Sequence, residues 1–261
     1  MKNHKTTAIL KHHDTIQMKV SNLFIKTEKK QPLQARESLQ FIAASGIKGD
    51  RNAHGASPRQ VLVTRVEDFE PFNIKPGELR ENVITKGLSL EQFQPGTLLT
   101  IGDVKIRLTY QCEPCPTVAH LVDDLKKLND KRGILGVIIS GGEVKVGDKI
   151  EVKIRAFPAI EENNFDLFQH FVAHIPEGKI VTYQDAIKGM GGYSAHLKVI
   201  PSFIDKLSDT HPVHRIVNTK GEVIEHVDNQ TEKLAKEGVK VENGKVNLAD
   251  YHWSEPGLHL V

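Results

Sequence analysis

The chain has two cysteines, and both sit in one short segment, Cys112-Glu113-Pro114-Cys115. They are too close together to staple distant parts of a fold, so they predict chemistry instead. A thiol becomes a metal ligand or a sulfur carrier only as the thiolate, and nearby cations or free backbone N–H groups lower its pKa. Pro116 and a helix predicted from Thr117 place Cys115 close to a helix N-terminus, where the macrodipole favours the anion. Thiolates are also soft ligands, suited to soft metals. Both cysteines can equally be read as small buried hydrophobes, and Cys112 has the weaker chemical argument. A zinc site needs about four ligands. His120 lies nearby, but no second CxxC completes a set. A thioredoxin-like role would want the CxxC to open a helix inside a βαβ unit, and that context is missing.

The elements that must hold these groups can be read from composition and period. A chain of 261 residues exceeds the usual single-domain size and predicts two domains. Hydrophobic residues at 39% and charged residues at 26% exclude wholesale disorder. No apolar run approaches the roughly 20 residues that span a bilayer, and Met1–Leu10 has no signal-peptide pattern. A soluble, cytoplasmic protein without a membrane partner is expected. Ten Lys/Arg and fifteen Asp/Glu follow from Ile160 onward, against 25 and 18 before it, so the N-terminal part is basic and the C-terminal part acidic. Phosphate-bearing ligands therefore suit the first part better.

Up to residue 155 the chain reads as short strands. Val61–Thr64, Gly96–Ile101, Val104–Tyr110 and Ile134–Ile139 are β-branched or alternating, with Gly102-Asp103 and Gly141-Gly142 at turns. Closely spaced strands with glycine turns predict a barrel. Within this part, Thr117–Leu128 has the spacing of one amphipathic helix. A last strand, Lys149–Arg155, runs into a linker at Ala156–Ala159. Beyond it the period becomes helical. Phe165–Val172 forms one helix, ended at Ile175-Pro176-Glu177-Gly178. Lys179–Val181 is a brief strand, and Thr182 with Asp185 fits a capping box that opens a second helix. After Gly189-Met190-Gly191-Gly192 a further helical stretch covers Ser194–Leu207, either kinked at Pro201 or starting at Ile200-Pro201. Helix, turn, helix and a small wing carrying the turns at Lys220–Glu222 and Glu242–Lys245 complete the pattern. The fold class is α+β in two domains: a mainly β barrel over residues 1–155, then a winged-helix (helix-turn-helix), α-rich domain over 156–261.

Gly46–Arg51, Arg59-Gln60-Val61, Gly77–Val83, Pro95-Gly96-Thr97, Cys112–Cys115 and Gly147–Ile150 occur in one order. As a set they resemble the MOSC domain, named after the C-terminal part of molybdenum-cofactor sulfurase, over roughly Val20–Arg155. The resemblance implies a mainly β barrel that carries sulfur or binds the molybdenum cofactor (molybdopterin) through Cys115, with molybdenum at that sulfur. It also implies an association with pyridoxal phosphate proteins. It carries Arg51, Arg59 and Asn82 over as pocket residues, with Cys112 beside them. Arginine grips phosphate bidentately, and an Asn amide can both donate to and accept from a pterin. The other reading makes Asp50–Arg51 a surface pair and Asn82 a turn residue. His54 is a weaker candidate, and Gly46, Gly49 and Gly77 read as turn positions.

Ile175–Tyr183, Pro212–Val217 and Lys236–Val239 resemble the DNA-binding domain of O6-alkylguanine-DNA alkyltransferases, over about Phe165–Trp253. In that family a Pro-Cys-His-Arg segment supplies the alkyl acceptor, activated through a His and a Glu. Here the segment is Pro212-Val213-His214-Arg215, and valine has no nucleophile, so alkyl transfer at this position is excluded. The resemblance leaves His214 and Glu237 as a relay remnant, with Arg215 beside them. It implies an alkyltransferase-like protein that binds duplex DNA bearing an alkylated or flipped base. Tyr183 then meets the flipped nucleotide's backbone, and His196, or Lys198 under a small shift, fills the vacated stack. The stretch Leu197–Phe203 is bulkier than the family's recognition helix, the loop after the lost cysteine differs, and the acidic charge opposes phosphate. A winged-helix remnant that contacts or covers the barrel is the alternative.

Two functions follow as expectations. One is a MOSC-domain protein that binds molybdenum cofactor or carries sulfur on Cys115, with the resemblance extending to a reductase of N-hydroxylated bases. The other is a DNA-repair protein that binds alkylated lesions without alkyltransferase activity.

Overall fold

The computed structural model describes residues 17–29, 31–55, 57–158, 160, 163–192 and 194–253. The Met1–Leu10 start and Ala159 of the expected linker lie outside the described residues.

The first part is strand after strand: β1 (Lys19–Ile25), β2 (Gln34–Arg36), β3 (Ser38–Ile42), β4 (Gly46–Ile47) and β5 (Val61–Arg65) precede a single helical turn, α1 (Val66–Phe69). Then follow β6 (Val83–Lys86), β7 (Leu98–Ile101), β8 (Val104–Gln111), β9 (Ile134–Ser140), β10 (Gly142–Lys145) and β11 (Glu151–Lys153). Eight of these make one sheet in the order β11-β7-β8-β9-β5-β6-β1-β2, antiparallel except where β5 meets β6. The sheet curls into a half-barrel. Gly147 N donates to Val20 O at 2.9 Å and Ile150 N to Met18 O at 3.0 Å, so the segment leading into β11 lies along β1. Such curling shields backbone groups that a flat sheet would leave at its edges. A smaller sheet, β10-β3-β4, continues from the Gly141 corner.

β8 and β9 are buried along most of their length, which is why they read as nearly continuous apolar runs. Val63, Leu99, Ile106, Leu108, Ile134 and Ile138 fill the interior with almost no exposure. Each such side chain contributes about 1.5–3 kcal/mol by leaving water. Gly102 (φ 58°) turns β7 into β8 where a turn was expected.

The single amphipathic helix expected over Thr117–Leu128 does not form. Two 3-10 turns, Pro116–Leu121 and Leu125–Leu128, take its place. Val122 is extended (φ −141°, ψ 154°), and the Asp124 side chain accepts from Lys126 N, which starts the second turn afresh. The apolar spacing is still satisfied, because Val118 and Leu128 are fully buried with Phe69 and Leu79. A hydrophobic period specifies which residues face inward and not the hydrogen bonds between them.

The chain from residue 156 is anchored to the sheet and is not a loose linker. Phe157 N donates to Gly96 O at 3.0 Å, Arg107 Nη2 donates to Pro158 O at 2.9 Å, and the Arg107 guanidinium lies 4.8 Å from the Phe157 ring centroid. Next come α2 (Asn164–Ala173), β12 (Val181–Thr182), α3 (Tyr183–Gly189), a 3-10 turn at Ser194–Lys198 and α4 (Ile200–Leu207). β13 (Ile216–Val217) pairs parallel with β12, and α5 (Gln230–Lys236), the hairpin β14 (Val241–Glu242) and β15 (Lys245–Val246), and α6 (Leu248–Tyr251) follow. The capping box is present: Thr182 Oγ1 accepts from Asp185 N at 3.3 Å, and Asp185 accepts from Thr182 N at 2.9 Å. Pro201 sits in the first turn of α4, so the helix starts afresh there and the residues before it form a separate 3-10 turn. The brief strand expected at Lys179–Val181 is shifted to Val181–Thr182. Phe168, Phe171, Ile187, Ile200, Ile204 and Val213 make a second apolar core, drawn from residues after 160. Among the described residues no helix is long and apolar enough to cross a membrane.

Gly189 packs against that core at its tightest point. A Cβ there would lie 2.1 Å from the ring of the fully buried Phe171. Gly189→Ala should destabilise the helical part by about 1–3 kcal/mol through overpacking, seen as a lower urea midpoint with an unchanged m-value.

Candidate functional site

β8 delivers the cysteine segment. Cys112 N donates to Gly133 O at 2.9 Å, carrying the β8–β9 ladder one step further, and Pro116 then confines Cys115 to extended backbone (φ −137°, ψ 165°). The two thiols acquire different surroundings within three residues. Cys112 is buried, and its Sγ accepts from Arg132 Nη1, which also donates to Glu113 O at 3.1 Å. Cys115 is only half-buried and opens on a cavity. Burial pushes the Cys112 thiol above its ordinary pKa, although Arg132 and Arg59 oppose the rise. Burial acts in the same direction on Cys115. There the Thr117 hydroxyl and amide, with the charges of Arg132 and Arg80, outweigh it and hold the thiol below its ordinary value. The stabilising groups are thus two local donors and two arginines, with no long helix behind them.

The cavity has a volume of about 810 Å³. It collects every residue that sequence reasoning assigned to the first part: Arg51, Arg59, Asn82, Cys112 and Cys115, with His54 on its rim. Arg80, Arg132, Leu135, Lys188 and Gly192 also line it, and none of these five was singled out from sequence. Arg80 lies inside the Gly77–Val83 segment, yet its left-handed backbone (φ 66°) is what aims it, and that leaves no mark in the sequence. Arg132 precedes Gly133, whose φ of 101° and close approach to Val63 O leave no room for a Cβ. A glycine beside an arginine was the one available signal.

Asp50 and Arg51 do not form the surface pair considered above. Asp50 is buried and accepts from Lys26 N at 3.0 Å, Asn52 N at 2.8 Å and Asn82 Nδ2 at 3.2 Å, while Arg51 is exposed at the cavity. Asn82 is a strand clamp. Its Oδ1 accepts from Leu62 N at 3.0 Å and its Nδ2 also donates to Phe24 O at 3.3 Å, tying β1 to β5. The amide expected to meet a pterin is engaged by the protein itself. Arg59 lies 5.4 Å from the Tyr110 ring centroid, between the cysteine cavity and a smaller pocket of about 160 Å³ that it also lines.

The residues selected in the helical part separate into two places. His214 Nε2 lies 2.8 Å from Glu237 Oε1, and Arg215 grips both oxygens of Glu237 at 2.7–3.1 Å while donating to Ile175 O at 2.6 Å. Val213 is buried in the core beside them. Burial pushes the Glu237 carboxyl up, but Arg215, His214 and the Gly178 amide outweigh it and bring its pKa to about 2. His196 faces the other way: its Nε2 is 3.2 Å from Asn164 Nδ2, and it lines the smaller pocket with Arg59 and Tyr110. Lys198 is exposed at the end of a 3-10 turn, and Tyr183 is half-buried, its pKa raised by burial and by Asp205.

Residues 50–151 match the family model described as MOSC domain. This segment is similar to MOSC domains. Both cysteines and four of the cavity arginines, Arg51, Arg59, Arg80 and Arg132, fall inside it. Among curated proteins none matches the chain. Solved structures similar to it include YuaD from Bacillus subtilis, at 21% identity and a TM-score of 0.44, covering 52% of this chain and 95% of that one. YiiM from Escherichia coli is similar at 14% identity and a TM-score of 0.42, covering 70% and 91%. S. pombe Atl1, solved in complex with damaged DNA containing O6-carboxymethylguanine, is similar at 23% identity and a TM-score of 0.32, covering 36% and 97%.

Two outcomes follow for the MOSC domain and the segment after it. Iodoacetamide should modify Cys115 with a pH midpoint below that of an ordinary thiol, while Cys112 stays unmodified until the protein unfolds, as peptide mass spectrometry would read. The Glu237 carboxyl, lowered from 4.5 to about 2, adds stability that is complete above about pH 4.5 and is lost as pH falls through about 2. Glu237→Gln should therefore cost about 2–3 kcal/mol at pH 7, and the difference should vanish in melts at pH 2.

Proposed function

We propose that the Cys115 thiolate is the working group of the MOSC domain and that it binds the molybdenum–pterin cofactor or carries sulfur as a persulfide. One observation carries this reading: of two thiols on the cavity wall three residues apart, Cys112 is buried against Arg132 with its pKa raised, while Cys115 is the more accessible and has its pKa lowered. The residues suit an anionic cofactor with a soft metal. A thiolate is the soft donor, and Arg51, Arg80 and Arg132 supply positive charge on the same wall. When bound, the cofactor would supply redox chemistry on oxygen-bearing substrates.

The chain's own residues do the rest. Arg132, buried and held to Cys112 and Glu113 O, fixes the cysteine turn and keeps a cation beneath Cys115. Thr117 donates to the sulfur and favours its ionised form. Arg51 and Arg80 present exposed guanidinium groups to an incoming anion, and Asn82 keeps Asp50 and the strands behind them in place. As a sulfur carrier, the same thiolate would take a sulfur atom from a donor persulfide, which leaves with a thiolate of its own. The family resemblance extends the reading to reduction of N-hydroxylated bases, an extension that rests on analogy.

The domain division belongs to this reading: a MOSC-like half-barrel over 1–155 and an alkyltransferase-like winged helix over 156–261, supported by apolar cores that draw on separate stretches of chain. Binding of lesion-bearing DNA has less support. The intact His214–Glu237 pair favours it, but His196 lies beside Arg59 and Tyr110 and the C-terminal charge is negative.

Protein made in a host that synthesises the cofactor should retain molybdenum or sulfane sulfur, and Cys115→Ala should reduce both to background while its circular dichroism stays unchanged. Equal molybdenum and sulfane-sulfur contents in the two proteins would refute the reading.

A further inference from the structure

The cysteine cavity is not closed by the MOSC domain alone. Lys188, in the last turn of α3, and Gly192 line it from outside that domain. The seating of this wall is specific. Gly191 adopts φ 69°, and a Cβ on it would lie 2.7 Å from Tyr110 Oη and 3.1 Å from Pro58 Cγ, so the loop after α3 rests on β8 and the loop before β5 with no side chain between them. Next to it, Asp185 Oδ1 lies 3.8 Å from His54 Nε2, and Asp185 Oδ2 lies 2.9 Å from His252 Nε2. These contacts join α3 to the cavity rim.

The charge on the wall is one-sided. Arg51, Arg59, Arg80, Arg132 and Lys188 line the cavity against a single carboxylate, Glu113. Asp185, the acidic residue of α3, is engaged by Thr182 and His252 and does not neutralise Lys188. Among the described residues no carboxylate lies within ion-pair distance of Lys188, Arg51 or Arg80. Three cations that face one cavity with no carboxylate in ion-pair range among the described residues repel one another, and the arrangement is favourable when an anion joins them. Lys188 reaches far enough into this group to lower the pKa of His54, although burial of that imidazole is the larger cause.

We infer that Lys188 is a ligand-binding residue of the Cys115 cavity, so that the site takes a phosphate-bearing ligand held between the MOSC domain and helix α3. The segment after residue 156 is then part of the binding site. This inference rests on the Cys115 reading and adds to it the ligand's charge and the origin of one wall. A lysine rather than an arginine at this position suits a point contact to a phosphate on a flexible stem.

The test is protection of Cys115 from iodoacetamide by inorganic pyrophosphate, followed by peptide mass spectrometry in the full chain. Pyrophosphate should slow the wild-type reaction, and its half-protecting concentration should rise about tenfold in Lys188→Ala. Lys188→Arg should restore most of the protection, and Lys220→Ala, at an exposed turn away from the cavity, should leave it unchanged. Each protein's protection is taken relative to its own rate without pyrophosphate, so that any change in the thiol itself is separated from a change in anion binding. Protection that is absent in the wild type, equal in Lys188→Ala, or weakened as much by Lys220→Ala would overturn the inference. A Cys115 that titrates in the wild type like an ordinary thiol would instead overturn the reading beneath it.

Discussion

A guanidinium buried beside a thiol is the constraint around which the MOSC domain is organised. Arg132 is 7% exposed, and removing a charge from water without partners would cost several kcal/mol. Its hydrogen bonds to Cys112 Sγ and Glu113 O offset part of that cost and fix the chain that leads to Cys115. The same charge lowers the pKa of the neighbouring thiol. Structure and chemistry therefore meet in one side chain, since the group that holds the cysteine turn also adds, behind the Thr117 hydrogen bonds, to the lowering of the Cys115 pKa. Cys112 serves as an acceptor for Arg132 and Cys115 as the more accessible sulfur.

Around this point the protein satisfies the polar groups of its strand framework internally. Asp50 and Asn82 spend their oxygens and amide on backbone groups of β1, β5 and the following loop. Arg51, Arg59, Arg80 and Arg132 gather on the same wall, and the result is a cationic cavity. The helical part repeats the pattern with the opposite outcome. There Glu237 is fully paired by Arg215, His214 and Gly178, and the constellation behaves as a strut between α5, the turn before β12 and the turn before β13.

Legibility followed the range of the interaction. Strand positions, the Gly102 turn, the Thr182–Asp185 capping box and the fresh start of α4 at Pro201 depend on residues a few places apart, and all can be read from local chemistry. The helix over 117–128 could not, because apolar spacing is the same for one helix and for two 3-10 turns, and Asp124 capping decided between them. The roles assigned through resemblance landed on one cavity in the first part. In the second part they divided, with His214, Arg215 and Glu237 together and His196 on the opposite side, next to Tyr110.

By itself the sequence determined that Cys115 precedes a proline and is therefore extended, that two strands of mostly buried residues flank its loop, and that Val213 offers no nucleophile. These follow from residue type and from neighbours along the chain. Only the tertiary structure decided which thiol has its pKa lowered, which arginines surround it, and that Lys188 joins them across more than seventy residues of chain. The reason is physical: charge and burial act through space over several ångströms, and sequence separation carries no information about that distance.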